Sequence, residues 1–330
     1  MQQISHPKPK LLVIYGPTVI GKTALAIRLA KKYNGEIISA DSRQVYSDLD
    51  IGTGKVDFKS KTEKQKGYWV VGGIKIFGFD IVSPGGRFTA LDYLKYARKQ
   101  VVRIRKQGKL PIIAGGTGFY LKTLLLGLGT AGIKPNLKLR ERLDKLSPEQ
   151  LLQMLSKINI KKIRSMNESD RLNKRRLIRA IEIEQAKQKS KNTDLNEPIN
   201  ANIMLIGLTS PNDYIFKKAD NWLEERLNHG LIAEVEGLKR KVNPEWLISL
   251  GLEYKWITLF LDEKIAKQEA VKRLKGNIHN FIRRQKTWFS QLNDIKIYDI
   301  SNKLEMELLE KTINLWYTQE NERLQYASKN

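Results

Sequence analysis

The stretch KLLVIYGPTVIGKTALAIRLAKK, residues 10–32, constrains the fold more than any other part of the chain. KLLVIY (Lys10–Tyr15) shows almost no polar alternation, which predicts a strand covered on both faces, the habit of parallel sheets. ALAIRLAKK predicts a helix over Thr23–Lys32 that stops before Asn34-Gly35. Between them Gly16, Pro17, Thr18, Val19, Ile20, Gly21, Lys22 and Thr23 fit the pattern G-x-x-x-x-G-K-[ST]. In that setting backbone N–H groups and a helix N-terminus wrap a diphosphate, Lys22 adds a point charge and Thr23 offers a hydroxyl to Mg2+. Most such cradles hold ATP or GTP, but the pattern specifies phosphates and leaves the rest of the ligand open.

Strand and helix signals alternate through the first third. EIISAD (Glu36–Asp41), GIKIFGFDIV (Gly73–Val82) and KLPIIAGGTGFY (Lys109–Tyr120) read as strands. Thr89, with Asp92 three residues on, reads as a capping-box variant opening a helix that runs to Gly108. From about Ala131 the character changes to several helices over 135–189. Twelve basic residues stand against four acidic ones between Lys157 and Lys191. After a polar loop (Gln188–Pro198), NIMLIGLT (Asn202–Thr209) returns to strand grammar. The expected class is α/β, a P-loop NTPase-like parallel sheet core with a helical insertion domain. The expected parts are 1–130, the first part of the core; 131–195, the basic insertion; and 196–330, a mostly helical return to the core. In that return, Asp262–Leu292 predicts a helix with Val271, Leu274, Ile278, Phe281, Ile282, Trp288 and Phe289 on one face. Trp288 and Phe289 read as core on this pattern. Ile295–Ile300 predicts a last strand and Lys303 begins a last helix.

Charge and composition narrow the chemistry. Lys and Arg number 59 against 35 Asp and Glu, a formal net charge of +24. That excess suits a polyanionic partner, since neutralised phosphates release counterions, although a lysine-rich proteome would also produce it. The absence of cysteine excludes disulfides, iron–sulfur clusters and thiolate zinc sites. His6, His229 and His279 are scattered, so a catalytic metal would be a hard cation on oxygen ligands, Mg2+. No apolar run is of membrane-spanning length and no secretory signal opens the chain, so a cytoplasmic protein without a membrane partner is expected. A monomer is expected as well.

Two further segments follow predicted strands and so face the same sheet edge as the phosphate loop. In Asp41-Ser42-Arg43-Gln44-Val45-Tyr46, Asp41 can serve as a general base or near a metal, and the Gln44 amide can read an adenine edge. The alternative is a helix N-cap in a polar loop. After Gly115-Gly116, Thr117 can aim its hydroxyl or backbone N–H into the cleft, or simply end the strand.

GPTVIGKT (16–23), DSRQVY (41–46), DIGTGK (50–55), GGTGFY (115–120), NKRRLIRAIE (173–182) and RRQKTWF (283–289), in this order, resemble the tRNA dimethylallyltransferases. The resemblance runs from about Leu11 to Phe289. It implies transfer of a dimethylallyl group from dimethylallyl diphosphate to N6 of the adenosine immediately 3′ of the anticodon (adenosine 37). The loop over Gly16–Thr23 would hold the diphosphate with Mg2+, and the tRNA anticodon stem–loop would be the partner. By the same resemblance Asp41 is the base and Thr117 lies at the reaction centre. Asp41, Ser42, Arg43, Gln44, Thr117, Arg140, Arg175, Arg176, Leu177, Ile178, Arg179 and Arg284 would contact the tRNA. Departures from the family pattern fall at Lys75–Phe79, which lacks a histidine pair, at LGLEYK (250–255), at Trp222 and Arg226, and at His279. A small-molecule P-loop kinase, a free-adenylate isopentenyltransferase and a non-catalytic RNA-binding ATPase share parts of this set, and ATP dependence separates the first from the prenyl transfer.

Overall fold

A computed structural model describes residues 8–58, 60–186, 194–290 and 295–327, the side chains of 319–327 excepted. Residues 188–193 of the expected polar loop and 291–292 of the expected long helix lie outside the described residues. The chain forms two compact units, Met1–Leu124 with Asn200–Asn330, and Leu125–Ile199.

The first unit is built on an eight-stranded sheet. Its strands are β1 (Lys10–Tyr15), β2 (Gly35–Ser39), β3 (Thr62–Gln65), β4 (Tyr68–Val71), β5 (Ile74–Phe77), β6 (Leu110–Gly115), β7 (Asn202–Thr209) and β8 (Lys296–Asp299), in the order β3-β4-β5-β2-β6-β1-β7-β8. From β5 to β8 every neighbour pair is parallel. Leu11 to Tyr15 are all buried, as a doubly covered strand requires. The α/β class and the return of Asn202–Thr209 beside β1 match the expectation.

Three strand readings need correction. The hairpin β3–β4 was not foreseen, because TEKQ is polar and exposed and carries no apolar alternation. Its neighbour turn, Gly72-Gly73, has φ 56° and 83° and joins β4 to β5 antiparallel, the geometry a two-residue hairpin demands. β5 stops at Phe77 rather than Val82, where Gly78 (φ 94°) and Asp80 (φ 54°) turn the backbone out of extension. Likewise β6 ends at Gly115, and a helix starts at Gly118 where a continuing strand was expected.

The helices of this unit are α1 (Lys22–Lys32), α2 (Ala90–Lys106), α3 (Gly118–Leu126, which runs across the boundary), α8 (Asn212–Asn228), α9 (Leu231–Lys239), α10 (Pro244–Leu250), α11 (Leu252–Leu261), α12 (Lys267–Phe289) and α13 (Lys303–Ala327). The capping box at α2 is present as read, the Thr89 hydroxyl accepting from the Asp92 N–H while the Asp92 carboxylate accepts from Thr89. On α12 the buried stripe is Ala270, Leu274, Ile278, Ile282, Gln285 and Phe289. Val271, Phe281 and Trp288, placed on the apolar face from sequence, sit on its half-buried flank.

The second unit contains α4 (Leu137–Leu143), α5 (Pro148–Arg164), α6 (Glu168–Arg171) and α7 (Lys174–Ala186). Ser147, Pro148 and Gln150 start α5 with a capping box and a proline at the first turn. Its core gathers Leu139, Leu143, Leu151, Leu155, Met166, Leu177, Ile178, Ala180 and Ile181.

Candidate active site

Parallel strands bring their C-terminal ends to one edge, and four segments meet there: the loop after β1, residues 40–46 after β2, residues 116–118 after β6, and Ser210 after β7. The β1 loop turns into α1 through Gly21, at φ 102° in the left-handed region that favours glycine. Val19 also takes a positive φ of 58°, unusual for a β-branched residue and a strain of the kind found at ligand-binding loops. The Lys22 Nζ donates to the Pro17 carbonyl at 2.6 Å, so the ammonium stays within its own loop. Burial lowers Lys22 to about 8, and the negative charge of Asp41 opposes the shift. Thr23 is exposed at the start of α1, and its hydroxyl has no partner among the described residues.

Asp41 organises the second segment. Its Oδ1 accepts the Arg43 N–H at 2.9 Å and the Gln44 N–H at 3.3 Å, which folds residues 41–44 into a tight turn. Its Oδ2 has no hydrogen-bond partner among the described residues. Arg43 reaches away to Glu253 on α11, 2.9 Å from Nη1 to Oε2, and its guanidinium lies 5.6 Å from the Phe281 ring centroid. Burial raises the Glu253 carboxyl and Arg43 opposes that rise. The Gln44 amide is engaged at both ends: Oε1 accepts from the Ser39 hydroxyl at 2.7 Å and Nε2 donates to the Thr53 carbonyl at 3.0 Å. In this arrangement Gln44 holds its loop and does not present a free amide edge to a base.

Thr117 ties the second segment to the third. Its Oγ1 accepts the Ser42 N–H at 2.9 Å, and its own N–H donates to the Ala40 carbonyl at 3.1 Å. A Cβ at Gly118 would stand 2.3 Å from the Trp288 ring, so only glycine lets that indole approach the turn. Ser42, Thr117, Phe281, Arg284, Gln285 and Trp288 line a cavity of about 240 Å³, with Gly116, Gly118 and Phe289 completing it. Trp288, read as core from its periodicity, therefore forms a cavity wall. Phe289 is buried as expected and packs on Tyr15, ring centroids 4.4 Å apart.

Gln285 and Lys55, which sequence reasoning placed in family motifs without assigning them a role, and Glu234, which it did not single out, hold this corner. Gln285 bridges the Thr18 N–H and the Gly116 carbonyl, each at 2.9 Å. Glu234 accepts N–H groups from Asp50, Ile51 and Gly52 and the Tyr254 hydroxyl, so the DIGTGK turn is occupied by a protein carboxylate. Lys55 is buried and donates to the Tyr46 carbonyl, Asp50 and Asp80. The signal for Gln285 was a polar residue in the middle of an apolar stripe; nothing local flags Glu234.

The helical unit sorts the basic segment of α7. Leu177 and Ile178 point into its core, 0 and 5% exposed, which corrects the expectation of an RNA contact by their side chains. Arg175 and Arg176 are exposed, Arg176 being paired with Asp170. Arg140 and Arg179 both bind the buried Glu182, Arg140 through two bonds of 3.0 and 2.7 Å. Burial would raise Glu182, but the two arginines and the Asn136 N–H outweigh it and hold the carboxyl at about 2.

Among the described residues no helix is long and apolar enough to cross a membrane, and no three His, Cys, Asp or Glu side chains gather as a metal cage. The sequence model described as IPP transferase matches residues 44–292. A tRNA dimethylallyltransferase of Streptococcus uberis is 37% identical over 89% of this chain and 91% of its own length. A tRNA dimethylallyltransferase 1 of Parabacteroides distasonis is 37% identical over 85% and 88%. Among solved structures, the full-length tRNA isopentenylpyrophosphate transferase of Bacillus halodurans superposes with a TM-score of 0.68 at 28% identity, covering 97% of this chain and all of that one. A eukaryotic dimethylallyltransferase crystallised acting on tRNA gives a TM-score of 0.75 at 22% identity over 94% of this chain and 80% of its own, a likeness of fold. A family model that matches residues 44–292, with relatives 37% identical over most of the chain, places this chain in the IPP transferase family.

Proposed function

We propose that this chain transfers the dimethylallyl group of dimethylallyl diphosphate to N6 of the adenosine immediately 3′ of the tRNA anticodon. The N6–C1 bond forms as the C1–oxygen bond breaks, and the bonding electrons leave with diphosphate. The amine proton passes to Asp41 Oδ2, the oxygen not committed to the 41–44 turn. Lys22 and the backbone N–H groups between Val19 and Thr23 take up the charge that develops on the leaving diphosphate. Thr117 holds the Asp41 loop through Ser42 and faces the cavity. An adenine must leave its stack to reach this corner, as for other enzymes that act on a base.

The observation that carries the reading is the 2.9 Å bond from the Ser42 N–H to Thr117 Oγ1, which ties the turn that begins at Asp41 to Thr117, at the sheet edge that also carries the β1 loop. An oxygen-bound cation would fit the donor set: Thr23 has a free hydroxyl at the loop, and the substrate's own diphosphate oxygens would supply the remaining ligands. Mg2+ bound there would neutralise the leaving group. Arg175 and Arg176 on the helical unit and Arg284 on α12 are exposed for contact with the anticodon stem–loop; Arg140 and Arg179 are held on Glu182. Incubation with labelled dimethylallyl diphosphate, Mg2+ and tRNA, followed by digestion, should yield N6-isopentenyladenosine. ATP consumption without prenylated nucleoside would refute the assignment.

A further inference from the structure

Gln285 is the polar exception in the buried stripe of α12, only 7% exposed. Its amide is matched at both ends. Oε1 accepts the Thr18 N–H at 2.9 Å, and Nε2 donates to the Gly116 carbonyl at 2.9 Å. Gly116 is shaped for this contact, since a Cβ there would lie 2.5 Å from Gln285 Nε2. Thr18 belongs to the phosphate loop, and Gly116 precedes Thr117.

The position of this amide matters because of where the sheet ends. β1 and β6 are paired through Tyr15 and Gly115, and beyond that pair the two loops run on without a ladder between them. Their separation past the sheet depends on side chains. Gln285 spans that gap, and it also lines the cavity beside Ser42 and Thr117. A continuous series of contacts follows: Thr18, Gln285, Gly116, Thr117, Ser42, then Asp41.

We propose that Gln285 is a positioning residue for the transfer, a strut that sets the distance from the diphosphate loop to the turn carrying Thr117. The inference rests on the reaction proposed above. An in-line displacement needs the leaving group, held on one loop, and the base, held by the other, to be aligned on one carbon, and misplacement by about 1 Å can cost on the order of 100-fold. A side chain that only filled space would affect stability and leave the reaction rate unchanged.

The full chain and two variants distinguish these roles. Gln285→Met keeps the length and removes both polar links; Gln285→Asn keeps the amide but is one methylene too short to reach both partners. Single-turnover prenylation of an anticodon stem–loop RNA should slow by about 100-fold in each. The dissociation constant for inorganic pyrophosphate should stay within about threefold of the parent, the phosphate loop itself being intact. A parental rate in either folded variant overturns the strut. So does a loss of pyrophosphate affinity that matches the loss of rate, because Gln285 would then build the anion site and not its spacing. A melting temperature that falls while the rate holds also overturns it. Should Gln285→Met fail to fold, Gln285→Asn decides alone. A parent that makes no prenylated adenosine removes the reaction itself, which is a separate failure.

Discussion

Arg43 and Glu253 are 210 positions apart, yet the guanidinium stands 2.9 Å from a carboxylate that is 2% exposed. The pair anchors the loop that begins at Asp41 to α11. Removing one partner of such a pair leaves a buried charge uncompensated, at a cost of about 3–5 kcal/mol. Glu253→Ala should therefore lower the melting temperature clearly in calorimetry and reduce turnover, while Glu253→Gln, which keeps an acceptor for Arg43, should lose less of both. Equal melting curves for Glu253→Ala and the parent would remove the anchor.

Asp41 and Thr117 predict a split between chemistry and binding. Loss of a general base typically costs about 100- to 10,000-fold in rate. Asp41→Asn should lose that much turnover while retaining tRNA affinity, because the amide oxygen still accepts the Arg43 and Gln44 N–H groups. Thr117→Val, which removes the acceptor for Ser42, should also slow the reaction with tRNA affinity unchanged. Filter binding and single-turnover rates measured on the same preparations check both.

If the proposed assignment holds, Lys22 should make anion binding depend on pH. With its ammonium lowered to about 8 by burial, the charged form dominates below that pH and is lost above it. A bound diphosphate favours the charged form, so affinity for pyrophosphate should be full below about 8 and decline as pH rises through it. Lys22→Arg stays charged throughout and should flatten the profile. Titration calorimetry between pH 7 and 9.5 gives the comparison. A parental profile without a decline would take Lys22 out of the anion site.

Glu182 predicts acid tolerance in the helical unit. Its carboxyl, held at about 2 against an ordinary 4.5, stabilises the fold fully above the ordinary value and loses that contribution as pH falls through about 2. Glu182→Gln should weaken the protein toward urea at neutral pH, and the deficit should shrink as the parent is acidified. A deficit unchanged from pH 7 to pH 2.5 would mean that the charge is irrelevant.

Arg175 and Arg176 predict the salt response. Each phosphate contact removed should lessen the slope of log affinity against log salt by about 1. Arg175→Ala with Arg176→Ala should weaken binding of the stem–loop and flatten its salt dependence. The change of Leu177 to Met, a core swap of similar volume, should leave both untouched. Identical salt slopes for the double variant and the parent would place the RNA elsewhere.

Local grammar alone established a good deal of this protein. The uninterrupted apolar run of β1, the glycines around the phosphate loop and the Thr89–Asp92 box are each read within a few residues, because they encode backbone preferences that act locally. The same holds for the order of strand ends, which follows from parallel connectivity and puts Asp41 and Thr117 at the edge that carries Lys22. Polar β3 escaped because its pairing with β4, and not its own pattern, makes it a strand. The helix at Gly118 escaped because a glycine-rich strand end and a helix start look alike until Trp288 packs against the turn.

Tertiary structure alone decided which polar groups meet. Gln285 finds Thr18 from 267 positions away and Gly116 from 169, and Glu234 reaches residues 50–52 across more than 180. A side-chain amide or carboxylate bonds whichever complementary group the fold sets at the right distance and angle, and that choice leaves no periodic trace in the chain. The same physics divided RRLIR on α7 into outward Arg175 and Arg176, inward Leu177 and Ile178, and an Arg179 turned onto the buried Glu182: the composition supplied the charge, and packing chose which side chains face solvent.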